Sequence, residues 1–592
     1  MFAKISDLYI PTTYSEFLVI MKKTLAYGLG LSTLALGIVL LVVPGFTSQS
    51  QNSPAPKQPN IIFIMSDDHA YQAISAYDNR LIETPNIDRI AQKGMLFTQA
   101  SVTNSICAPS RATILTGKHS HLNGKVDNHF PFDTTNITFP QILQKAGYQT
   151  AMFGKLHFGN SPKGFDQFKI LPGQGAYYNP EFITKNEGNI KVQGYVTDII
   201  TDMTLDWLGK ERKKDQPFLL MYLHKAPHRS WQMAERHLAE YTTKRFPEPE
   251  TLFDDYSGRT SPAAEAEMSI LHHMSWAGDH KVTPEIMDEL GIPEIGYDKI
   301  RYTNEMKRLT PAQAENFRKA YAPLNEELRK KYPTMTEKEK MQWKYQRYMQ
   351  DYLGSIKAVD ENVGRLLDYL EANNLMENTI ILYTSDQGFY LGEHGWFDKR
   401  FIYDESFKTP LLVAWPGKTK AGSRSDELVQ NLDFAQTFLD AAGVKAPADM
   451  QGESLVPLLK GQKGKWNRDA VYYHYYEYPA EHMVNRHYAI VTKDYKLIHY
   501  YYVEDQWELI DRKKDPKELK NVYNDPAYAK VKKELHAKLD QLRKKYKDNE
   551  TLSQSYVDRL MNDASNGKVY GVNQEKIREI KDRRAKVEAK QK

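Results

Sequence analysis

The sequence predicts an α/β protein: a large, mainly parallel sheet flanked by helices, followed by a smaller C-terminal antiparallel sheet packed on a helix. Three observations predict it. Residues 60–65, 148–153, 217–223 and 379–384 are short, continuous apolar runs, as expected of strands buried on both faces. Tyr352, Ile356, Val359, Val363, Leu366, Leu367 and Leu370 recur at three- and four-residue spacing just ahead of the last run, an α-then-β crossover. From Val471 the pattern changes to alternation broken by short polar turns, which reads as an antiparallel sheet.

The 592 residues are 41% hydrophobic and 26% charged with net charge +4, so nothing suggests a nucleic-acid groove. Met21-Lys22-Lys23 and the apolar run 25–43, closed by Pro44-Gly45, read as a signal peptide over 21–48, with a retained membrane anchor as the alternative. Residues 1–20 lack this logic and are expected to be an upstream misassigned start. A Ser-, Gln- and Pro-rich linker covers 49–59. The expectation is an exported protein, periplasmic or secreted.

The first strand ends in Ser66-Asp67-Asp68-His69. Two adjacent carboxylates past a buried strand are costly unless a cation neutralises them. A capped helix over 84–91 and a short strand over 94–98 lead to Cys107, the only cysteine, which excludes an internal disulfide and a thiolate cluster. A lone cysteine is commonly a small buried apolar residue. Here it stands between polar runs, and Pro109 suits the first turn of a helix, so Cys107 falls at a helix N-terminus. The next strands deliver Lys155 and His157, then His224 to His228, then Ser385-Asp386-Gln387. Ligand sites of open α/β sheets form outside the carboxyl ends of the strands, so these groups are expected to converge.

Residues 247–345 are charged and broken by Pro and Gly, and read as an insertion over one edge of the sheet with His272, His273 and His280 on a solvated surface. A buried strand over 410–414 and a helix over 432–442 complete a catalytic domain spanning 60–465. Strands over 471–476, 488–492, 495–500 and 507–511 open a C-terminal subdomain, 466–592, closed by Lys- and Glu-rich helices and a solvated or frayed tail from Glu575.

Cys107-Ala108-Pro109-Ser110-Arg111, with Leu115-Thr116-Gly117-Lys118 after it, resembles the signature of type I, formylglycine-dependent sulfatases of the alkaline-phosphatase-like superfamily. The resemblance spans 60 to about 523 in the family order. It implies conversion of Cys107 to formylglycine (3-oxoalanine) by a formylglycine-generating enzyme, and a hydrated aldehyde whose one hydroxyl attacks sulfur while the other later expels sulfate. It implies that Asp67, Asp68, Asp386, Gln387 and the Cys107-derived oxygen hold Ca²⁺, with Mg²⁺ as the other candidate. Gln387 departs from the Asn usual there. Arg111 would orient the hydrate, Lys155 and Lys399 clamp sulfate, His157 assist elimination and His228 protonate the leaving oxygen. Residues 66–77 and 390–399 resemble bacterial exported glycan sulfatases acting on 6-sulfated N-acetylglucosamine, which implies a sulfated carbohydrate substrate. Aromatic faces and polar tips suit pyranose rings, so His474, Glu477, His482 and Arg486 are the candidate sugar contacts. Phosphonate monoester or phosphodiester hydrolysis, and an inactive carbohydrate-binding relative, are the competing readings.

Overall fold

A computed structural model describes residues 58–569 and 571–591. The segments read as signal peptide and linker lie outside these residues, apart from Gln58 and Pro59.

Four apolar runs form the centre of a ten-stranded sheet: β1 (Asn60–Ser66), β2 (Gln149–Lys155), β3 (Phe218–Leu223) and β4 (Thr379–Ser385). Their spatial order is β4-β1-β3-β2, all parallel, and Gln167–Leu171 extends the parallel run beside β2. The outer strands are mixed: Leu411–Ala414 runs antiparallel to β4, and two hairpin-like strands, Glu181–Thr184 and Asn189–Lys191, finish the far edge. Every residue of β1 to β4 is buried because helices cover both faces.

Alternation along β1 divides the core. Ile62 and Ile64 pack in the cluster that contains Tyr352, Ile356 and Val359, whereas Ile61, Phe63 and Met65 pack with Phe434, Phe438 and Leu439. The first layer is organised by two helices, α1 (Pro85–Lys93) and the 36-residue α3 (Glu337–Ala372); α2 (Cys107–Thr116) belongs to the second layer. Thr336 and Glu339 form a capping box at the start of α3. Because α3 begins at Glu337, the region read as an insertion does not end at 345 but runs unbroken into the crossover helix. His280 is also not on a solvated surface: it is 1% exposed, between Trp276 and Trp343.

The second sheet, β5 (Ala470–Tyr475), β6 (His487–Thr492), β7 (Tyr495–Tyr500) and β8 (Gln506–Asp511), is antiparallel in sequence order. One face is covered by α4 (Ala529–Tyr546), through Leu535, Leu539 and Tyr546. The terminal helix α5 (Gln574–Gln591) is not frayed: Ile577 and Ile580 are buried, Lys576 reaches Glu267 at 2.6 Å, and Arg583 reaches Glu265 at 2.8 Å. Among the described residues, no helix is long and apolar enough to cross a membrane.

Candidate active site

Strand register brings the site together. Met65 is level with Leu223, Gly154 with Leu223, and Ser66 with Ser385, so Asp67, Lys155, His224 and Asp386 leave the sheet at one edge. The ends are stapled to each other: Asp67 N–H donates to Ala226 O at 3.3 Å, Asp386 N–H to Ser66 O at 3.3 Å, and His69 N–H to Ser385 Oγ at 2.8 Å. Tyr352 on α3 holds the acidic turn from below, accepting from Ala70 N–H at 2.8 Å and donating to Asp68 O at 2.7 Å. Asp68 itself sits in the left-handed region at φ 66, an uncommon conformation for a residue with a Cβ, of the kind concentrated at functional sites. Gly154, at φ +112, lets β2 reach Lys155: a Cβ there would lie 1.7 Å from Leu223 O.

Asp67, Asp68 and Asp386 are fully buried and offer carboxylate oxygens within 4.8 Å of one another. Burial raises Asp67, but the cations around it, Lys155 foremost, outweigh it and hold this carboxyl well below its usual range. Burial pushes Asp68 up to about 7, partly offset by Lys399 and reinforced by Asp67 and Asp386. Asp386 rises to about 6 from burial and from Asp67, against Arg111. Three carboxylates share one dry space with Arg111, Lys155 and Lys399, and burial still lifts two of them. Gln387 Oε1 is moreover buried without a hydrogen-bond donor, and Asp67 Oδ1 has only Arg111 Nη2 at 3.3 Å outside hydrogen-bond geometry, while the Gln387 amide N–H₂ donates to Asp68 Oδ1. Unpartnered buried oxygens cost stability unless something satisfies them. These residues fit a hard divalent cation ligated by carboxylate and amide oxygens.

Cys107 opens α2, with its Sγ 3.9 Å from Asp68 Oδ1 and within 4.8 Å of donor atoms of Asp67 and His228. Burial pushes the thiol far up, so a thiolate nucleophile is not what this environment supports. One turn on, Arg111 donates from Nε to Asp386 Oδ2 at 3.0 Å, with Nη2 3.3 Å from Asp67 Oδ1. Lys155 Nζ pairs with Asp67 Oδ2, and Lys399 Nζ donates to Asp68 Oδ2 at 2.8 Å. His228 Nε2 lies 3.8 Å from Asp68 Oδ2. His157 is left-handed at φ 65, with Nδ1 buried and unpartnered. Burial first, and Lys155 second, hold both imidazoles well below the usual histidine range. All ten residues expected to carry the chemistry and the cation converge here.

The four expected sugar contacts do not line the cavity beside this site. That cavity, about 690 Å³, is walled by residues including Tyr177, Lys225, His228, Arg229, Lys399 and Arg400. His474 is 2% exposed beneath the C-terminal helices, bonded to Asp548 at 2.5 Å and Tyr501 at 2.6 Å. Arg486 donates to Tyr478 O at 3.0 Å within the core. Glu477 and His482 stand one layer back, Glu477 pairing with Arg400 at 2.9 Å and His482 lying 3.4 Å from Asp398. The Tyr- and His-rich stretch looked like a sugar platform because aromatic residues with polar tips also make satisfied buried networks. Sequence reasoning missed Asp398 and Arg400, which flank Lys399 and face the cavity. Their signal was local: three charged residues in succession on an otherwise aromatic loop.

The sulfatase family profile matches residues 59–444, and a profile described as N-sulphoglucosamine sulphohydrolase, C-terminal, matches 392–545. An N-acetylglucosamine-6-O-sulfatase of Bacteroides thetaiotaomicron is 50% identical over 502 residues, covering 83% of this chain and 88% of its own. Human N-acetylglucosamine-6-sulfatase is 26% identical, covering 73% and 70%. The solved structure of BT4656 in complex with its substrate D-glucosamine-2-N,6-O-disulfate superposes with a TM-score of 0.79 at 49% identity, covering 83% of this chain and 99% of that one.

Proposed function

The chain belongs to the sulfatase family, and from that premise we propose that this sulfuric ester hydrolase removes the 6-O-sulfate of N-acetylglucosamine residues in a sulfated glycan. The observation that carries the reading is the convergence of Cys107, Lys155, His228 and Lys399 on one buried carboxylate cluster beside a sugar-sized cavity that His228 and Lys399 also wall. The half-identical relative that bears this activity in its name supports the choice of sugar.

Asp67, Asp68, Asp386 and Gln387 would hold the cation, and the hard oxygen donors favour Ca²⁺. When bound, the cation supplies positive charge against the sulfate oxygens and the nucleophile. Formylglycine at 107, made by a maturation enzyme, supplies a hydrated aldehyde with two hydroxyls on one carbon. The chain does the rest. Lys155 and Lys399 are anchored on Asp67 and Asp68, and so stand as preorganised cations where negative charge grows on the sulfate. Arg111 holds Asp386 and Asp67 in place, so the donor set keeps its shape. Burial and nearby cations keep His228 neutral in the resting site; an anionic ester beside it favours the imidazolium, which then gives its Nε2 proton to the departing sugar oxygen. His157 is the base placed to help release sulfate. The basic and apolar run at 21–43 supports export to the periplasm or beyond.

The test joins chemistry to substrate. Co-expressed with a formylglycine-generating enzyme, the tryptic peptide containing Cys107 is expected about 18 Da lighter than the thiol form, and the protein to release sulfate from 6-sulfated N-acetylglucosamine. An unmodified thiol under conditions that convert a control sulfatase would overturn the mechanism. A modified peptide with no release from this sugar, but release from an aryl phosphate diester, would move the reading to the phosphodiesterase alternative.

A further inference from the structure

Six basic side chains wall the cavity: Lys225, Arg229, Arg301, Arg308, Lys399 and Arg400. Four are matched to a carboxylate inside 4.0 Å. Arg229 makes a two-point pair with Asp279 at 2.7 Å, Arg308 meets Glu181 at 3.0 Å, Lys399 meets Asp68 at 2.8 Å, and Arg400 meets Glu477 at 2.9 Å. Lys225 and Arg301 are different. Among the described residues, neither side chain has a hydrogen-bond acceptor or an ion-pair partner; Lys225 Nζ meets only the face of Tyr177, at 4.7 Å.

Lys225 is 4% exposed, directly after β3 and three residues before His228. No carboxylate lies within ion-pair distance of this ammonium; Asp67, Glu305 and Asp68 act on it only from farther off, and burial first and Lys155 second draw its pKa down to about 8. A folding pathway gains nothing from such a group, whereas a site for an anion does. On the same wall, Glu305 keeps Oε2 buried with no donor. It feels the positive charge of Lys281 first, then of Arg301 and Lys225. The wall therefore presents two cations with no ion pair inside 4.0 Å and one carboxylate oxygen with no hydrogen-bond donor, apart from the clamp of Lys155 and Lys399.

We infer that Lys225 and Arg301 form a second anion subsite, which takes an anionic substituent of the glycan other than the ester being cut, with Glu305 Oε2 accepting the N–H or hydroxyl next to it. The inference rests on the 6-O-sulfate reading above. Two sources carry this chemistry: an N-sulfate on the same ring, or the carboxylate of a neighbouring uronic acid.

The test measures kcat/KM of the matured enzyme on three substrates: 6-sulfated N-acetylglucosamine, D-glucosamine-2-N,6-O-disulfate, and a 6-sulfated N-acetylglucosamine joined to a uronic acid. Wild type is expected to favour at least one of the doubly anionic substrates, and which one identifies the source. Lys225→Met keeps the stem against Tyr177, and Arg301→Gln keeps a polar tip. Each is expected to lower the ratio of doubly to singly anionic kcat/KM about tenfold, the loss of one charge-assisted contact, with an unchanged melting temperature as the check on folding. Ratios unmoved in both variants, or equal losses on all three substrates, overturn the subsite. Failure of the parent reading looks different, as no turnover of any of the three. The subsite then stands only if Cys107→Ser protein binds the disulfate and Lys225→Met weakens that binding about tenfold.

Discussion

Gln387 is the residue at which the site departs from its family's usual pattern, and the structure gives the longer side chain a use. Its amide nitrogen reaches Asp68 Oδ1 while Oε1 stays buried and unpartnered. The same amide can thus brace one ligand and offer its oxygen to a cation. Gln387→Ala is expected to raise the Ca²⁺ concentration needed for half-maximal activity about 10- to 100-fold, with wild-type rates approached at saturating Ca²⁺; a metal titration of chelated enzyme checks this. An unchanged requirement would remove Gln387 from the ligand set. Residues of this kind were legible because their chemistry is local: adjacent carboxylates, a lone cysteine in an extended motif, lysines at strand ends. His474 was not. A histidine among tyrosines reads alike whether it faces a sugar or, as here, Asp548 and Tyr501 in a closed network.

At the scale of elements, α3 positions the site by way of its polar residues more than by its length. Asp360 accepts from the N–H groups of Asn86 and Ile87, both at 2.9 Å, so a carboxylate on α3 caps the first turn of α1 where no side chain of α1 itself does. Gly364 lies against the same asparagine, where a Cβ would come 2.5 Å from Asn86 Oδ1. Asp360→Ala is expected to cost about 1–2 kcal/mol, the usual loss of an N-cap strengthened by the helix dipole, measured by denaturant unfolding. No change in midpoint would show that water caps α1 equally well. The periodicity of α3 was visible in the sequence, from Tyr352 to Leu370. Its start at Glu337 was not, because its first turns are buried against segments distant in the chain: Trp343 stacks on Trp276, Tyr345 donates to Pro247 O, and Tyr348 packs on Trp231. Contacts of the same kind docked α5, whose two buried isoleucines are too few to signal a packed face.

Over the whole molecule, burial sets the response to acid. His119, His224, His474 and His487 are each at most 2% exposed, and burial brings them down to about 3, 3, 4 and 3. Their folded values lie below the unfolded value of about 6.5, so between pH 6.5 and 4 the unfolded chain binds more protons than the native one. Stability held above pH 6.5 is therefore lost as the pH falls. Near pH 5, unfolding is expected to take up roughly four protons from these groups, a slope of about 5 kcal/mol per pH unit before other groups contribute. Calorimetric unfolding in buffers of different ionisation enthalpy measures the uptake, and a value near zero would mean these imidazoles are charged in the native state. What the sequence by itself determined were the parallel α/β core, the second antiparallel sheet and the family signature around Cys107, with charged strand ends on either side of it in the chain. Each depends on short-range pattern: strand hydropathy, helix period, motif spacing. What only the tertiary structure decided was the wall of the cavity. Lys225, Asp398 and Arg400 come from two separate segments and Arg301 from a third, and whether a given charge is paired or left open depends on which distant carboxylate folding brings within reach.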